Sequence, residues 1–251
     1  MIKLSEFPTT APKGLNKKYI KEETKEIAKR IAELHEIMVA EKKHSLLVVL
    51  QGMDTSGKDG STHETFKYCT PVGLSAYGFK KPTDEEFAHD FLWRVHKQTP
   101  GKGEIKVFVR SHYEDVLIQR VHKWIDDDRV TARINAINAF EENLINDNNT
   151  TILKFYMHLS KERQLEKLQE RIDNPDKNWK HNPGDWKERK HWDAYMNAYE
   201  DAINRSTVPW IIAPVDQRWY RNYFIAKKVC DTLESLNMKK PILDHAESKI
   251  G

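Results

Sequence analysis

The sequence predicts an α/β fold: a three-layer α/β/α sandwich on a parallel five-stranded sheet, with a helical lid. Three observations predict it. Short, nearly continuous apolar runs alternate along the chain with longer segments of helical periodicity. The first run leads directly into a glycine-rich turn, Gly52 to Gly60, that opens a helix. One long polar excursion, residues 160–205, interrupts the rhythm between the fourth and fifth runs.

Residues 1–14 carry Pro8 and Pro12 and end at Gly14, the make-up of an extended arm. Over 17–43, Ile20, Ile27, Ile31, Leu34 and Met38 recur at helical spacing, with Lys and Glu on the other faces. Ser45 to Leu50 is then apolar at almost every position, as strands buried on both faces are. A helix follows the glycine turn to about Cys69, and a second strand is expected over 73–78. Thr83 with Glu86 forms a capping-box pattern, predicting one helix on to about Lys97. Ile105 to Val109 reads as the third strand. One helix or a pair covers 113–146 and stops at the Asn/Asp cluster 146–149. Thr151 to Met157 and Trp210 to Pro214 complete the sheet. Strands alternating with helices imply parallel pairing with helices on both faces.

Within the excursion, Ser160 is the expected N-cap of one helix. A polar stretch from Asp173 to Asp185 follows, and a second helix is expected from about Trp186 to Asn204. The segment is expected to be a mobile flap over the strand ends. The whole chain, 1–251, is thus expected to be one domain with an N-terminal helical extension, 1–44, and a lid, about 160–205.

Composition bounds the function. With 41 basic against 38 acidic residues the net charge is only +3, no mark of a nucleic-acid binder. No helix-turn-helix, zinc-finger or RNP pattern is present. Cys69 and Cys230 fit no zinc or redox spacing and are expected to be reduced and independent, and the 11 histidines show no metal-ligand spacing. The N-terminus lacks a signal-type apolar region, and the strongest apolar run, Leu46 to Leu50, is far too short to span a bilayer. A cytoplasmic protein without membrane or nucleic-acid partners is expected.

The chemistry lies in Gly52-Met-Asp-Thr-Ser-Gly57-Lys58-Asp59-Gly60. A strand before it and a helix after it are the context that a phosphate loop requires. The glycines let the backbone curl so that N–H groups around Thr55, Ser56 and Ser61 point inward. The helix N-terminus adds partial positive charge, and Lys58 a full one. Position 59 holds Asp where such loops usually carry Ser or Thr. Asp54 and Asp59 would repel a phosphate unless a divalent cation, Mg²⁺ or Mn²⁺, lay between them. The plainer alternative is that both merely cap a helix.

At this loop the chain resembles the polyphosphate kinase-2 family, whose version reads G-x-D-x-x-G-K-D-G. Thr83-x-Glu85-Glu86 with Asp90-Phe-Leu-Trp-Arg94, and Arg110-Ser-His-Tyr-Glu-Asp115 after a strand, resemble the next two signatures. Asp193-x-Tyr195-x-x-Ala198-Tyr199-Glu200 and Trp219-Tyr220-Arg221-Asn222 resemble later ones. The resemblance spans roughly residues 15–235. It departs at Val109, where the family often has Asp or Asn; Glu114 or Asp115 would have to supply that carboxylate. The Ser-His-Tyr-Glu-Asp form is similar to the class III subgroup, which phosphorylates both AMP and ADP.

The resemblance implies a P-loop kinase that moves phosphoryl groups from inorganic polyphosphate to adenine nucleotides, with guanine nucleotides left open, as a homodimer or homotetramer. Asp54, Lys58, Asp59, Arg110 and Arg171 would be catalytic. Gly52, Thr55, Ser56, Gly57, Gly60, Ser61 and Lys180 would join Lys58 in holding phosphate. Asp90, Arg94, Glu114 and Arg120 would meet the nucleotide, and Asp54, Asp59 and Glu114 the metal. Structural ion pairs are the competing reading for Arg110 and for Asp90 with Arg94, which stand four apart on the expected helix. His112 is left undecided between ligand contact and core, and Trp179, Trp186 and Trp192 are expected to pack the lid. An ATP-dependent nucleoside monophosphate kinase of the same fold is the functional alternative, and a nucleic-acid module using the basic lid is a third reading.

Overall fold

A computed structural model describes residues 1–242 of the chain. Helix α1, Lys17–Glu41, starts where the Asn16 side chain accepts hydrogen bonds from the Lys18 and Tyr19 amides, and it stops at Lys42 in the left-handed region. Its apolar stripe includes Ile20, Ala28, Ile31, Leu34 and Met38. Strand β1, Ser45–Gln51, is buried along its whole length. The loop and helix α2, Lys58–Phe66, follow. Strands β2 (Leu74–Gly78), β3 (Ile105–Val109), β4 (Thr150–His158) and β5 (Trp210–Pro214) complete a sheet of order β2-β3-β1-β4-β5. Every pairing is parallel.

Strand alternation sorts side chains between two helical layers. Leu46, Val48 and Leu50 pack with α1, with Phe66 of α2, and with α10, Arg218–Ser235. Leu47 and Val49 pack on the other side with α5 (Glu114–Val121), α6 (Asp127–Asn148) and α9 (Trp192–Asn204). Because β1 lies between β3 and β4, the chain departs to opposite sides of it. The crevice outside the strand ends there is where open sheets of this kind bind ligands.

The structure also departs from expectation. The single helix expected over 83–97 is two short ones, α3 (Asp84–Ala88) and α4 (Trp93–His96). The capping box at Thr83 and Glu86 does form. His89 then turns extended, and the Asp90 carboxylate accepts the Leu92 amide at 2.9 Å, a local bond that competes with helix. The lid holds α7, Lys161–Asp173, capped by Ser160; a 3₁₀ turn, Pro175–Lys180; and α8, Pro183–Arg189, before α9. The expected 186–204 helix therefore starts earlier, at Pro183 behind an Asn182 cap, and breaks before Trp192. The N-terminal arm is docked: Leu4 is buried, its amide reaches Glu200 and the Ile2 amide reaches Asn204.

The α6–β4 layer contains a buried polar knot that the sequence did not announce. Lys154 of β4 donates to Glu141 of α6 at 2.5 Å, to the Tyr113 hydroxyl at 2.7 Å, and to Ser206. Glu141 also accepts from the Tyr113 hydroxyl at 3.1 Å and lies 3.3 Å from His112. This settles His112 as a core residue. Cys69 and Cys230 are free. Among the described residues no helix is long and apolar enough to cross a membrane.

Candidate active site

The phosphate loop takes its shape from unusual backbone angles. Gly57 has φ +89° and Thr55 has φ +70°; Arg110, just past β3, has φ +65°. Left-handed backbone is costly for Thr and Arg, and such strain gathers where a site needs it. Lys58 is buried, with its ammonium donating to the Gly52 carbonyl at 2.7 Å and the Met53 carbonyl at 3.2 Å. Burial, followed by Arg110, pulls its pKa down to about 8 against the attraction of Asp54, Glu114 and Asp59.

Four of the expected groups come together here. Arg110 is ion-paired with Asp54. Burial opposes its charge, but Asp54 and then Glu114 outweigh that and raise the guanidinium's pKa. Glu114, first residue of α5, is raised by burial and held down by Arg110, Lys58 and the neighbouring Gln51 amide. Asp59 stands apart, exposed on the first turn of α2. Ser61 turns its hydroxyl back to the Gly57 carbonyl at 3.0 Å, and Ser56 is buried in the loop, while Thr55 keeps a buried hydroxyl without a partner.

Helices α7 and α8 border this cluster. Gln164 of α7 donates to the Asp54 carbonyl at 3.4 Å. Arg171 pairs with Asp185 of α8 at 2.6 Å. Asp185 is buried, and that burial, with the nearby Asp54 charge, raises its pKa against the pull of Arg171 and Arg110. Arg171 therefore lies near the loop behind a carboxylate. Lys180 meets Arg171 only through its backbone carbonyl, which accepts at 3.1 Å; its ammonium rests 4.8 Å from the ring of exposed Trp179.

Asp90 and Arg94 are not an ion pair on one helix, because the chain breaks between them. They nevertheless line one cavity of about 480 Å³, together with Phe91, Arg129 and Arg133. Arg94 is held by Asp115 at 3.4 Å and donates to the Lys80 carbonyl at 2.8 Å. Arg120 lies elsewhere, pairing with Asp201 of α9 at 2.7 Å. Sequence reasoning assigned no role to Asp185, Gln51 or Arg221. Arg221 stood in plain view in the Trp219–Asn222 motif, but nothing local says that it reaches the loop.

Among the described residues no three His, Cys, Asp or Glu side chains cluster closely enough to hold a metal alone. Asp54 and Glu114 are hard oxygen donors facing the same two cations. That set fits a magnesium ion shared with substrate phosphates, not one held in a protein cage.

The polyphosphate kinase 2 family model matches residues 14–241. The AMP/ADP-polyphosphate phosphotransferase of Meiothermus ruber is 44% identical over 225 residues, covering 88% of this chain and 84% of that protein. The ADP-polyphosphate phosphotransferase of Rhodopseudomonas palustris is 34% identical over 264 residues, covering 99% and 91%. The crystal structure of polyphosphate kinase 2 from Arthrobacter aurescens superposes with a TM-score of 0.93 at 38% identity, covering 99% of this chain and 91% of that one. A strained phosphate loop with its lysine, an arginine beside it and helix α7 bordering it thus coincide with a match over nearly the whole length, and the chain belongs to the polyphosphate kinase 2 family.

Proposed function

We propose that this protein transfers the terminal phosphoryl group of inorganic polyphosphate to AMP and ADP, giving ADP and ATP. The observation that carries the reading is the convergence of Lys58, Arg110, Asp54 and Glu114 on one glycine loop. Two cations and two carboxylates there suit a phosphoryl group in flight between two anionic chains. A terminal phosphate oxygen of the acceptor bonds to the end phosphorus of the donor. The anhydride bond from that phosphorus to the bridging oxygen breaks, and the shortened chain leaves with the bridging oxygen and its electron pair. An acceptor phosphate is largely ionised near neutral pH, so positioning and charge neutralisation matter more than proton removal.

Lys58 exchanges its loop carbonyls for oxygens of the moving group and stabilises charge there. Arg110, released from Asp54, offers two parallel N–H groups to the same oxygens. Magnesium, held by Asp54 and Glu114 with the substrate phosphates, would neutralise further charge. Arg171 reaches the donor from the lid as Asp185 moves aside, and closure keeps water out. The acceptor occupies the cavity of Asp90 and Arg94, where Arg129 and Arg133 face its phosphates. The reaction is reversible, because the anhydrides made and broken are chemically alike.

The test is donor choice. Protein given ADP and long-chain polyphosphate, with no ATP, makes ATP, and AMP given alone yields ADP and then ATP. ATP formation no greater than that of a Lys58→Ala control sinks the proposal; failure with AMP alone restricts it to ADP.

A further inference from the structure

Helix α7 buries only two side chains, Leu168 and Gln164, and Gln164 is just 1% exposed. A buried amide needs partners at both ends. Arg189, in the last turn of α8, donates through one Nη1 to Gln164 Oε1 at 2.7 Å and to the Lys161 carbonyl at 2.8 Å. Arginine only donates, so the amide oxygen of Gln164 must face it and the amide nitrogen must face the other way. That nitrogen donates to the backbone carbonyl of Asp54, in the phosphate loop, at 3.4 Å. Helix α8 thus fixes which end of the amide α7 presents to the loop.

The carbonyl it reaches belongs to a strained turn. The Ser56 amide donates to the Met53 carbonyl at 3.3 Å, which closes a four-residue turn. Thr55, the third residue, has φ +70°, while Asp54, the second, is not left-handed. That combination marks a type II turn, whose third position favours glycine. Threonine is β-branched and a poor occupant of such backbone. A type I turn spans the same four residues with no left-handed residue, and differs by a rotation of the central peptide, here Asp54–Thr55. The buried Thr55 hydroxyl has no partner, so that side chain does not hold the turn. Gln164 grips the carbonyl of the very peptide that would rotate. In a trans peptide the N–H points opposite to the carbonyl, so the same grip sets the direction of the Thr55 N–H. Strain of this kind persists only where the surroundings enforce it.

We propose that Gln164 is a positioning residue: it holds the Asp54–Thr55 peptide in the type II form and so keeps the Thr55 N–H turned toward bound phosphate. Rotated to type I, the peptide would present its carbonyl oxygen there and repel the anion. The loop therefore takes its phosphate-binding form when α7 rests on it, and Arg189 supports that form through Gln164. Rotation would also disturb the Asp54 carboxylate that pairs with Arg110. This deepens the proposed reaction and rests on its reading of the loop as the phosphate site. The acceptor cavity of Asp90 and Arg94 is lined by other elements, so the effect falls on turnover and spares acceptor affinity.

The test uses the full-length protein with Gln164→Met, with Gln164→Glu, which keeps the Arg189 contact, and with Gln164→Met/Thr55→Gly. Backbone amide exchange over residues 52–57 is followed by mass spectrometry without substrate, and kcat and KM are measured with ADP and long-chain polyphosphate. Both single variants should exchange several-fold faster in the loop, with β1 and β4 unchanged. Their kcat should fall about tenfold, the loss of one net hydrogen bond, while the KM for ADP stays within about twofold. Adding Thr55→Gly should recover most of that loss, because glycine takes the left-handed angle unaided. A glutamine that merely packs α7 would not be rescued in this way. Unchanged loop exchange with unchanged kcat overturns the inference. So does faster exchange throughout the protein with a lower melting temperature, an effect confined to the charged Gln164→Glu, or a double variant no better than Gln164→Met. The exchange measurement needs no turnover. A wild type that forms no ATP, yet whose loop still responds to Gln164 and Thr55, would defeat the proposed reaction and leave this role of Gln164 standing.

Discussion

Replacing Gly57 by Ala tests the geometry of the loop most directly. A Cβ at that position would lie 1.7 Å from Arg221 Nη1 and 2.5 Å from Cζ. Neither side can yield cheaply, because the guanidinium is buried and Gly57 sits at φ +89°. Left-handed backbone costs an alanine about 1–2 kcal/mol. Overpacking a tight site adds about 1–3 kcal/mol. The sum, roughly 2–5 kcal/mol, corresponds to a melting temperature lowered by roughly 4–20 °C for a chain of this size. Activity should fall further than stability, by about 10²-fold, because a shift near 1 Å misplaces Lys58 and the loop amides. The double variant Gly57→Ala/Arg221→Met separates the two contributions. Removing the guanidinium should return the overpacking share and leave the backbone strain, a non-additivity expected only for residues in contact. Thermal melting of the four proteins of the cycle, with ATP formation from ADP and polyphosphate, reads both effects. If Gly57→Ala melts with wild type and keeps its turnover, the loop does not have the shape described.

Three further outcomes are expected. Arg110→Lys keeps the charge but loses the planar fork, and kcat should fall about 10²-fold with the fold intact by melting and circular dichroism. Lys154→Met strands Glu141 in the core, which should cost about 3–5 kcal/mol by urea titration, with the protein's activity lost only in proportion to unfolding. The Glu141 carboxyl is depressed below its usual 4.5: burial raises it, but His112 and Lys154 prevail. Its contribution to stability is therefore complete above about pH 4.5 and is lost as pH falls through the lower folded value, so the urea midpoint should drop in that acid range, and less steeply in Glu141→Gln.

What could be read from sequence was what local physics decides. β1 is apolar on both faces because both are covered, and Gly52–Gly60 curls because glycine tolerates left-handed backbone. The Thr83–Glu86 capping box spans one turn and forms wherever it sits. The helix expected over 83–97 broke for an equally local reason: Asp90 bonds the Leu92 amide. Long-range partners were less legible. Asp54, Lys58, Arg110 and Glu114, expected at one site, lie close together because each follows a strand's carboxyl end, where a parallel sheet gathers them. Arg120 and Lys180 were expected at ligands; in this structure Arg120 pairs with an acid on α9 and the Lys180 ammonium rests over an exposed tryptophan, contacts that no local pattern announces. Arg221 was missed because its contact, the Ser56 carbonyl, is 165 residues away.

The sequence left one question open that the fold narrows. Val109 cannot hold a metal, and either Glu114 or Asp115 could stand in for the acid it lacks. Adjacent residues on a helix point about 100° apart, so at the start of α5 only one of the two can face the loop. Asp115 turns into the core, where it pairs with Arg94 at 3.4 Å and accepts from Gln119 at 2.6 Å. Its backbone carbonyl takes Arg133 at 2.8 Å. Those bonds join α4, α5 and α6 beneath the cavity of Asp90 and Arg94. Glu114 is left with Lys58 and Arg110 as its cationic neighbours. Arg110, just past β3, has left-handed backbone, and its charge and that of Glu114 act on each other beside the loop. We propose Glu114, five residues after Val109 at a helix start whose dipole favours a carboxylate, as the acid that stands in for the one the strand end lacks. Glu114→Gln should therefore cost turnover, while Asp115→Asn, which loosens the cavity wall, should act first on acceptor KM.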